Sequence, residues 1–419
     1  MKKYSLSALV AAGLLVGGLS AGSATAADLG GNCCADLEER IAELEATTAR
    51  KGNRKVSLTI SGWVAEQMMW WDDDFEQNVY VGGIGTTLAS HFKFTGQATI
   101  TPGWYAGYVM HVEVYGSETL LMTNQNRATG PNLYDSVILE GNNYTGLNTL
   151  QTFWFIKSDH LGKVSVGKQS MASDNTAILV DGSGSLVPAN YVPFDYGGFF
   201  LRTPTGALSG NRIVNTFFHS DRNGLPLNAV RYDSPTFAGF SVSASWGEDD
   251  VWDVAARYAG EFNGFKLAVA GAYVESTDEH VISCLAGFAL PNCGQNNMAP
   301  GDKQWQIGGY VEHVPTGVFA YGAYSDFDND FLNIGGENWY GKAGLRERWT
   351  PLGHTVLYGE YLTADTQGDT DFELWGLGAV QEIDAAAMSL WLSYRNIDAR
   401  SGVDSVDFQY VKAGALINF

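Results

Sequence analysis

Short and long connections alternate along the chain from residue 55 onwards, and this alternation limits the fold more than any other feature. The short connections begin at Thr101, Ser158, Ser234, Gly260, Val314, Thr350 and Glu382. The intervening segments are mostly longer and more polar, and they cover 72–85, 119–146, 171–225, 248–250, 277–302, 327–336, 365–370 and 397–404. Seven short and eight long connections join sixteen strands. The pattern therefore predicts an all-β fold, a 16-stranded antiparallel transmembrane β-barrel with unequal ends.

Between these connections the residues alternate in polarity with period two, as side chains along a β-strand do. In the stretch HFKFTGQATI, Phe92 and Phe94 share one face, while His91 and Lys93 share the other. The second face is repeatedly small and polar, which suits a wide, wet lumen with the apolar face on lipid. A soluble sandwich or propeller is the alternative, and it would need two apolar inner faces and loops of similar length at both ends.

The N-terminus has the layout of a cleaved secretory signal. Two early lysines precede an apolar run that ends at Leu19, and an Ala-Thr-Ala cleavage site ends at Ala26. We therefore predict a signal peptide over residues 1–26, with an uncleaved anchor as the alternative. No later window of about 18 apolar residues is present to form a membrane helix. An exported chain of this kind would cross a membrane as a closed barrel, because closure satisfies every backbone group.

Residues 27–53 are predicted to form a periplasmic segment that precedes a barrel over 54–419. Apolar residues step by four and three along a predicted helix over 33–49. The candidate seam consists of Cys34, Leu37, Ile41 and Leu44. One interpretation is a monomeric amphipathic helix on the base of the barrel. The other is a short coiled coil that holds only because an oligomeric barrel lies behind it, since two to three heptads alone are marginal.

Signatures of catalysis and of metal binding are missing from the sequence. The histidines are scattered without a His-x-x-x-His pair, and no Gly-x-Ser-x-Gly elbow occurs. Export permits a disulfide between Cys284 and Cys293, whose spacing is not that of a metal site. We expect no catalytic residue, no metal and no cofactor; an outer-membrane protease or lipase barrel is the enzymatic alternative.

The charge balance excludes some partners. The chain has 25 Lys and Arg against 46 Asp and Glu, a formal net charge of −21. Such an excess of acid disfavours binding to nucleic acid. It is compatible with a solvated lumen that favours cations.

Several stretches carry a resemblance to a known family. VRYDSPTFAGFSVSASWG, from Val230, resembles the strand–turn–strand signature of Gram-negative general porins. VSVGKQSMASDN, from Val164, is similar to the strand that leads into the third loop of those porins. The N-terminal CCADLEERIAELEATTARKGNRKVSLTISGWV resembles the start of alphaproteobacterial, rhizobial-type porins. Phe419 resembles the C-terminal signal that the barrel-assembly machinery reads.

The resemblance implies a homotrimeric, passive diffusion channel for small hydrophilic solutes and ions. It places the barrel among the lipid and lipopolysaccharide of a Gram-negative outer membrane, with the N-terminal segment in the periplasm. It also implies that the long third loop, 171–225, folds into the pore. A structural or adhesive barrel, anchored towards the cell wall and with little pore activity, is the alternative function.

A narrowing in such a pore concentrates the electric field, so a few charges decide which ions enter. The acidic candidates on the third loop are Asp174, Asp181 and Asp195. The basic candidates on inward faces are Lys93, Arg346 and Arg395. Acids on the loop opposite bases on the wall would create a transverse field. Aromatic residues towards the strand ends are predicted at the lipid headgroup level; they are Trp70, Trp71, Trp104, Trp154, Trp349 and Tyr361.

Overall fold

The computed structural model of the protein describes residues 56–85, 87–114, 124, 147–217, 226–247, 250–277, 301–330, 333–366 and 368–419. Its described strands are β1 (Thr59–Asp72), β2 (Gln77–Gly82), β3 (His91–Thr101), β4 (Trp104–Val114), β5 (Leu147–Ser158), β6 (Gly162–Gln169), β7 (Phe200–Arg202), β8 (Leu208–Arg212), β9 (Leu227–Asp233), β10 (Phe240–Gly247), β11 (Val251–Phe262), β12 (Phe265–Ser276), β13 (Asp302–His313), β14 (Val318–Asn329), β15 (Ile334–Thr350), β16 (Gly353–Thr366), β17 (Thr370–Ile383), β18 (Met388–Ser401) and β19 (Asp404–Asn418). The predicted signal peptide, the candidate coil and both Cys284 and Cys293 lie outside the described residues.

Sixteen of the described strands form one closed antiparallel barrel, which confirms the predicted fold class. Each barrel strand pairs with its neighbours in chain order, and β19 pairs with β1 to close the sheet. Three further strands are local additions. β2 and β3 pair with successive parts of β1, and the described residues between them, 83–85 and 87–90, turn into the barrel. β7 and β8 form a hairpin within the loop between β6 and β9. None of the described helices is long and apolar enough to cross a membrane.

All seven predicted short turns join consecutive barrel strands. They lie at one end of the barrel, the end at which β1 begins and β19 finishes. Two predicted long loops are wrong in extent. Strand β2 occupies much of 72–85, and β18 continues to Ser401 before β19 begins at Asp404. The end of β18 and the start of β19 are polar because they extend beyond the apolar band, so their composition resembled that of a loop.

Burial alternates along the barrel strands and separates an inward from an outward face. In β19, Phe408, Tyr410 and Lys412 point into the barrel and are buried, while Ile417 is exposed on the outside. Phe419 is 60% exposed on that outward face, as the alternation predicted. The outward apolar surface is what a lipid-facing wall requires.

Of the six aromatic residues predicted at the lipid headgroup level, Trp71 is the one that does not point outwards, and the membrane level of the others stays a prediction. Trp104, Trp154, Trp349 and Tyr361 are exposed on the outer surface. Trp71 instead points inwards and packs against Tyr80 and Phe199, with ring centroids 5.5 and 5.1 Å away. Adjacent residues on a strand point to opposite faces, so Trp70 and Trp71 could not both reach the lipid.

Candidate pore constriction

The described residues of the loop between β6 and β9, 170–217 and 226, fold into the barrel; we refer to them as the third loop. Many of its aromatic and aliphatic side chains are buried among inward-facing residues of the wall. Examples with no exposed surface are Tyr191, Tyr196, Phe199 and Leu201. A loop with so much apolar surface is more stable against the wall than in the water of the lumen.

The first part of the third loop is attached to the wall by hydrogen bonds. The Ser173 amide donates to Asp253 Oδ2 at 2.6 Å. Gln306 Nε2 donates to the Ser173 carbonyl at 3.1 Å, and Gln306 Oε1 accepts from the Ala177 amide at 2.9 Å. Here the loop backbone lies directly on β13, because a Cβ at Gly308 would stand 2.1 Å from the Ala177 carbonyl oxygen. Only glycine permits this approach.

A buried ion pair holds the middle of the loop. Lys342 Nζ of β15 donates to Asp181 Oδ2 at 2.5 Å, and both side chains are completely shielded from solvent. The same ammonium donates to the Ala189 carbonyl at 2.8 Å and lies 5.7 Å from the ring centroids of Tyr321 and Tyr358. Lys342 therefore contacts the loop at two points, eight residues apart in the sequence.

A second buried pair holds the later part of the loop. Lys412 Nζ of β19 donates to Asp195 Oδ2, and Gln67 Nε2 of β1 donates to Asp195 Oδ1 at 2.7 Å. The carboxylate thus has partners on two strands that meet at the seam of the barrel. Breaking one member of such a pair leaves a buried charge without compensation, which is costly.

Arg395 supports the same region from β18. Its guanidinium forms a bidentate pair with Glu360, with both nitrogen–oxygen distances 2.8 Å, and Nη2 also donates to the Asn190 carbonyl at 2.9 Å. Tyr340 donates its hydroxyl to Glu360 at 2.6 Å. The arginine is oriented by the wall and holds the loop through a backbone oxygen.

A cavity of about 400 Å³ remains between the third loop, strands β3–β5 and the short-turn ends of β15 and β17–β19. His91 and Lys93 of β3, His111 of β4 and Gln151 of β5 border it on the wall side. The loop side is largely apolar, with Asp174 among the polar residues that border the cavity. The described lumen is thus filled on the side of β10–β19 and open beside β3–β5.

Arg346 lies at the short-turn end of the cavity. Its Nη2 donates to both carboxylate oxygens of Glu382, at 2.9 and 3.0 Å. His354 Nδ1 is 3.2 Å from Glu382 Oε2. The charge of this arginine is therefore balanced by a carboxylate on the neighbouring part of the wall.

All six predicted constriction residues lie on the loop or on the inward face, and they form two groups that share Asp181. Lys93, Arg346, Asp174 and Asp181 border the cavity. Asp181, Asp195 and Arg395 are buried in contacts between loop and wall. Their selection of ions stays a prediction.

Three important partners were missed by the sequence analysis: Lys412, Glu360 and Glu382. Each lies at an inward position of an alternating strand, so the period-two pattern contained a signal for them. The pattern could not indicate which loop residue each would meet, because those contacts join residues far apart in the chain.

Comparison with known proteins identifies one family. A family model described as Gram-negative porin matches residues 6–415. A curated relative, a chitoporin from Vibrio furnissii, is 31% identical over 156 residues, which cover 30% of this chain and 40% of the relative. The chain therefore spans less than half the length of that relative.

Solved structures of outer-membrane proteins share the fold. An anion-selective porin from Comamonas acidovorans aligns with a TM-score of 0.56 and 14% identity, covering 87% of this chain and all of that one. A loop L8 deletion mutant of OmpT, an outer-membrane protein of Vibrio cholerae, has a TM-score of 0.54 and 13% identity, with 87% and 100% coverage. The trimer form of in-vitro folded OmpT has a TM-score of 0.51 and 15% identity. At these identities the likeness supports the fold alone.

Proposed function

We propose that this chain, which belongs to the Gram-negative porin family, passes small hydrophilic solutes and ions through the cavity beside β3–β5. The family match and the closed sixteen-stranded barrel make the protein an outer-membrane diffusion channel. The observation that supports the proposed route is the one-sided attachment of the third loop. Ion pairs tie it to β15 and β19, while the cavity borders β3–β5 and reaches the short-turn ends of β15 and β17–β19. Porins are channels rather than enzymes, and we assign no catalytic role.

Lys93 and Asp174 are the charges to which we assign most of the selectivity. Both border the cavity, one on the wall and the other on the loop. Asp181 and Asp195 share their charge with buried lysines, and Arg346 shares its charge with Glu382. An ion pair creates a weak field at a distance because its opposite signs cancel, so we assign less of the selectivity to Asp181, Asp195 and Arg346.

The net charge of the chain is a poor guide to this field, because many carboxylates lie on the outer surface. Outward-facing acids at the extracellular ends of the strands include Glu275, Asp326, Asp328, Glu337, Asp365, Glu373, Asp398 and Asp407. They face away from the lumen and are separated from it by the wall. We therefore do not derive a cation preference from the charge of −21.

Single-channel recording in planar bilayers tests the proposal. We expect stepwise currents from the purified protein, and a reversal potential in a salt gradient that gives the ratio of cation to anion permeability. The structural or adhesive alternative predicts a folded barrel without steps. A folded protein that inserts without conducting would overturn the proposed function.

The chitoporin relative does not lead us to propose a more specific solute. Trp63 and Trp391 are tryptophans that border the cavity, but they are only 8% and 4% exposed. Their indole nitrogens donate to the Leu88 carbonyl at 3.1 Å and to Gln67 Oε1 at 3.3 Å. Aromatic faces buried in this way offer little surface for stacking on a solute.

We further propose a homotrimer, with residues 27–53 in the periplasm and the outward face among lipid and lipopolysaccharide. β1 begins and β19 finishes at the short-turn end of the barrel. This position supports placing residues 27–53 in the periplasm. The Phe419 amide donates to the Gly62 carbonyl, and the Gly62 amide donates to the Phe419 carbonyl, both at 3.0 Å. These bonds support a role for Phe419 in closing the barrel. We propose this role in addition to recognition by the barrel-assembly machinery. Membership of the rhizobial-type subfamily stays a prediction.

A further inference from the structure

Glu66 is a carboxylate on the outward face of the barrel, midway along the 14-residue strand β1. Its neighbours on the same face of the strand are Val64 and Met68, which are 55% and 57% exposed. In the register with β19 it lies opposite Ala415. Among the described residues its carboxylate has no hydrogen-bond or ion-pair partner. An exposed charge thus stands within an apolar surface.

The outward faces of strands β10–β19 have a different arrangement. From β10 to β19 the middle of each outward face consists of aliphatic residues and glycine, and charged residues occur towards the strand ends. Examples in the middle are Ala343, Leu377, Leu392 and Ala413. Glu66 is therefore an exception that the lipid environment does not explain.

A charge in the middle of a bilayer is costly and is retained only where it has a partner or water. On a transmembrane barrel, charges on the lipid face destabilise most at the midplane. The surface beside Glu66 is also flat, since Ala413 and Ala415 of β19 present only methyl groups. A flat surface around a single carboxylate allows the outer surface of another barrel to pack closely against it.

Lys168 supplies a complementary charge on the same side of the barrel. It lies outward on β6, on the face of Val164 and Val166, and its ammonium donates to the Thr149 carbonyl at 3.0 Å. No described carboxylate lies within ion-pair distance of it. Four inter-strand steps separate β6 from β1, which is roughly 19 Å at about 4.8 Å a step. The two charges therefore cannot pair within one barrel.

We propose that Glu66 of one copy forms an ion pair with Lys168 of a second copy, at the contact between neighbouring barrels. The inference rests on the proposed homotrimer and deepens it. A contact that joins two different patches of identical subunits is heterologous, and such contacts generate a closed ring when the rotation between subunits closes. The outward faces of β1–β6 then form the subunit interface, and the outward faces of β11–β18, which carry exposed aromatic side chains, remain against lipid.

Charge reversal tests the pairing. Glu66→Lys and Lys168→Glu are made singly and together, and association is measured in mild detergent by light scattering coupled to size-exclusion chromatography. We expect each single reversal to weaken association by about ten- to hundredfold, and the double reversal to restore most of it. Asp365→Lys is the matched control, because Asp365 is an exposed, outward carboxylate near the end of β16.

The outcomes separate the pairing from the proposed function. Equal association of wild type and single variants would overturn the role of Glu66, while the trimer would stand. Weakened single variants without rescue in the double variant would overturn Lys168 as the partner. A monomeric wild type would overturn the interface altogether, whereas the channel proposal depends on conductance and would be unaffected.

Heat-modifiable gel mobility reports barrel folding, and Glu66→Gln, which removes charge at nearly constant shape, replaces Glu66→Lys if that variant does not fold.

Discussion

The two sides of the barrel wall are built from the same alternating strands but serve different surroundings. On the inner surface, β10–β19 contact the third loop through buried ion pairs and aromatic side chains, whereas β3–β5 border the cavity. On the outer surface, an aromatic girdle covers β11–β18, with ring pairs such as Tyr324 and Trp339 at 4.2 Å. On β2, β4 and β5 the outward residues towards the end of the barrel opposite the short turns are aliphatic instead, as Val81 and Leu147 are.

The comparison shows that strand periodicity determines which face a residue occupies, while its function depends on what lies against that face. Lys342 and Lys93 are both inward lysines on barrel strands. The first is covered by the loop and paired, and the second borders the cavity. The position of the loop thus makes Lys342 a structural contact, whereas Lys93 is the lysine to which we propose to assign selectivity.

Breaking the pair between Lys342 and Asp181 should have the largest effect. Lys342→Met leaves a buried carboxylate without its partner, which typically costs about 3–5 kcal/mol. We expect the third loop to detach, so that the conductance rises and becomes noisy while the melting temperature falls. Single-channel recording and thermal unfolding in detergent measure both effects.

The matched control for that variant is Lys303→Met. Lys303 pairs with Asp330 at 2.5 Å, but both side chains are exposed, so the change should have little effect on stability or conductance. A second control is the double variant Lys342→Met with Asp181→Leu, which removes both charges and should recover part of the stability. Unchanged conductance and melting in Lys342→Met would show that the loop does not depend on this pair.

The close approach of the loop to β13 gives a second, smaller test. Gly308→Ala would place a methyl group 2.1 Å from the Ala177 carbonyl oxygen, so the loop has to shift. We expect a loss of about 1–3 kcal/mol and a changed conductance. Gly309→Ala is the neighbouring control, because its Cβ would have no atom within 4 Å. Equal behaviour of the two variants would contradict the described position of the loop.

The fold was predictable because its signals are local. Short turns such as those at Thr101 and Val314 can be recognised in the sequence, and the alternation of polarity indicates whether a strand residue points inwards or outwards. Strand extents were less predictable where strands continue beyond the apolar band. The hairpin from β18 to β19 looked like a loop because Asp398 and Arg400 are polar and exposed on its outer side.

The constriction was only partly predictable, because it depends on contacts between residues far apart in the chain. The charges on the loop and the wall were recognised as inward. Which of them would be buried together was not, since Asp195 meets Lys412 across 217 positions. No local pattern distinguishes an acid that anchors a loop from one that faces solute.

Neutralising Lys93 should alter selectivity without destabilising the barrel. Lys93→Gln removes a positive charge that borders the cavity, so the reversal potential should move towards cation preference. A unit charge at 4 Å in water is worth about 1 kcal/mol, so the permeability ratio should change by about fivefold at most. Asp174→Asn should move it in the opposite direction. Lys303→Gln, on the outward face, should leave it unchanged, and an equal shift in that control would refute the assignment of Lys93.

Deleting Phe419 should have the smallest effect on a barrel that is already formed. Its ring is 60% exposed, and its backbone contributes two hydrogen bonds to Gly62, each worth about 1 kcal/mol. The amount of folded barrel in the outer membrane should nevertheless fall strongly, because the assembly signal is lost. Phe419→Tyr keeps an aromatic ring and the backbone bonds, so it should assemble like wild type, whereas Phe419→Ala keeps only the bonds.

Wild-type levels of the truncated chain in outer-membrane fractions would refute the assembly role. Normal assembly of Phe419→Ala would assign that role to closure of the seam between β1 and β19 rather than to the ring.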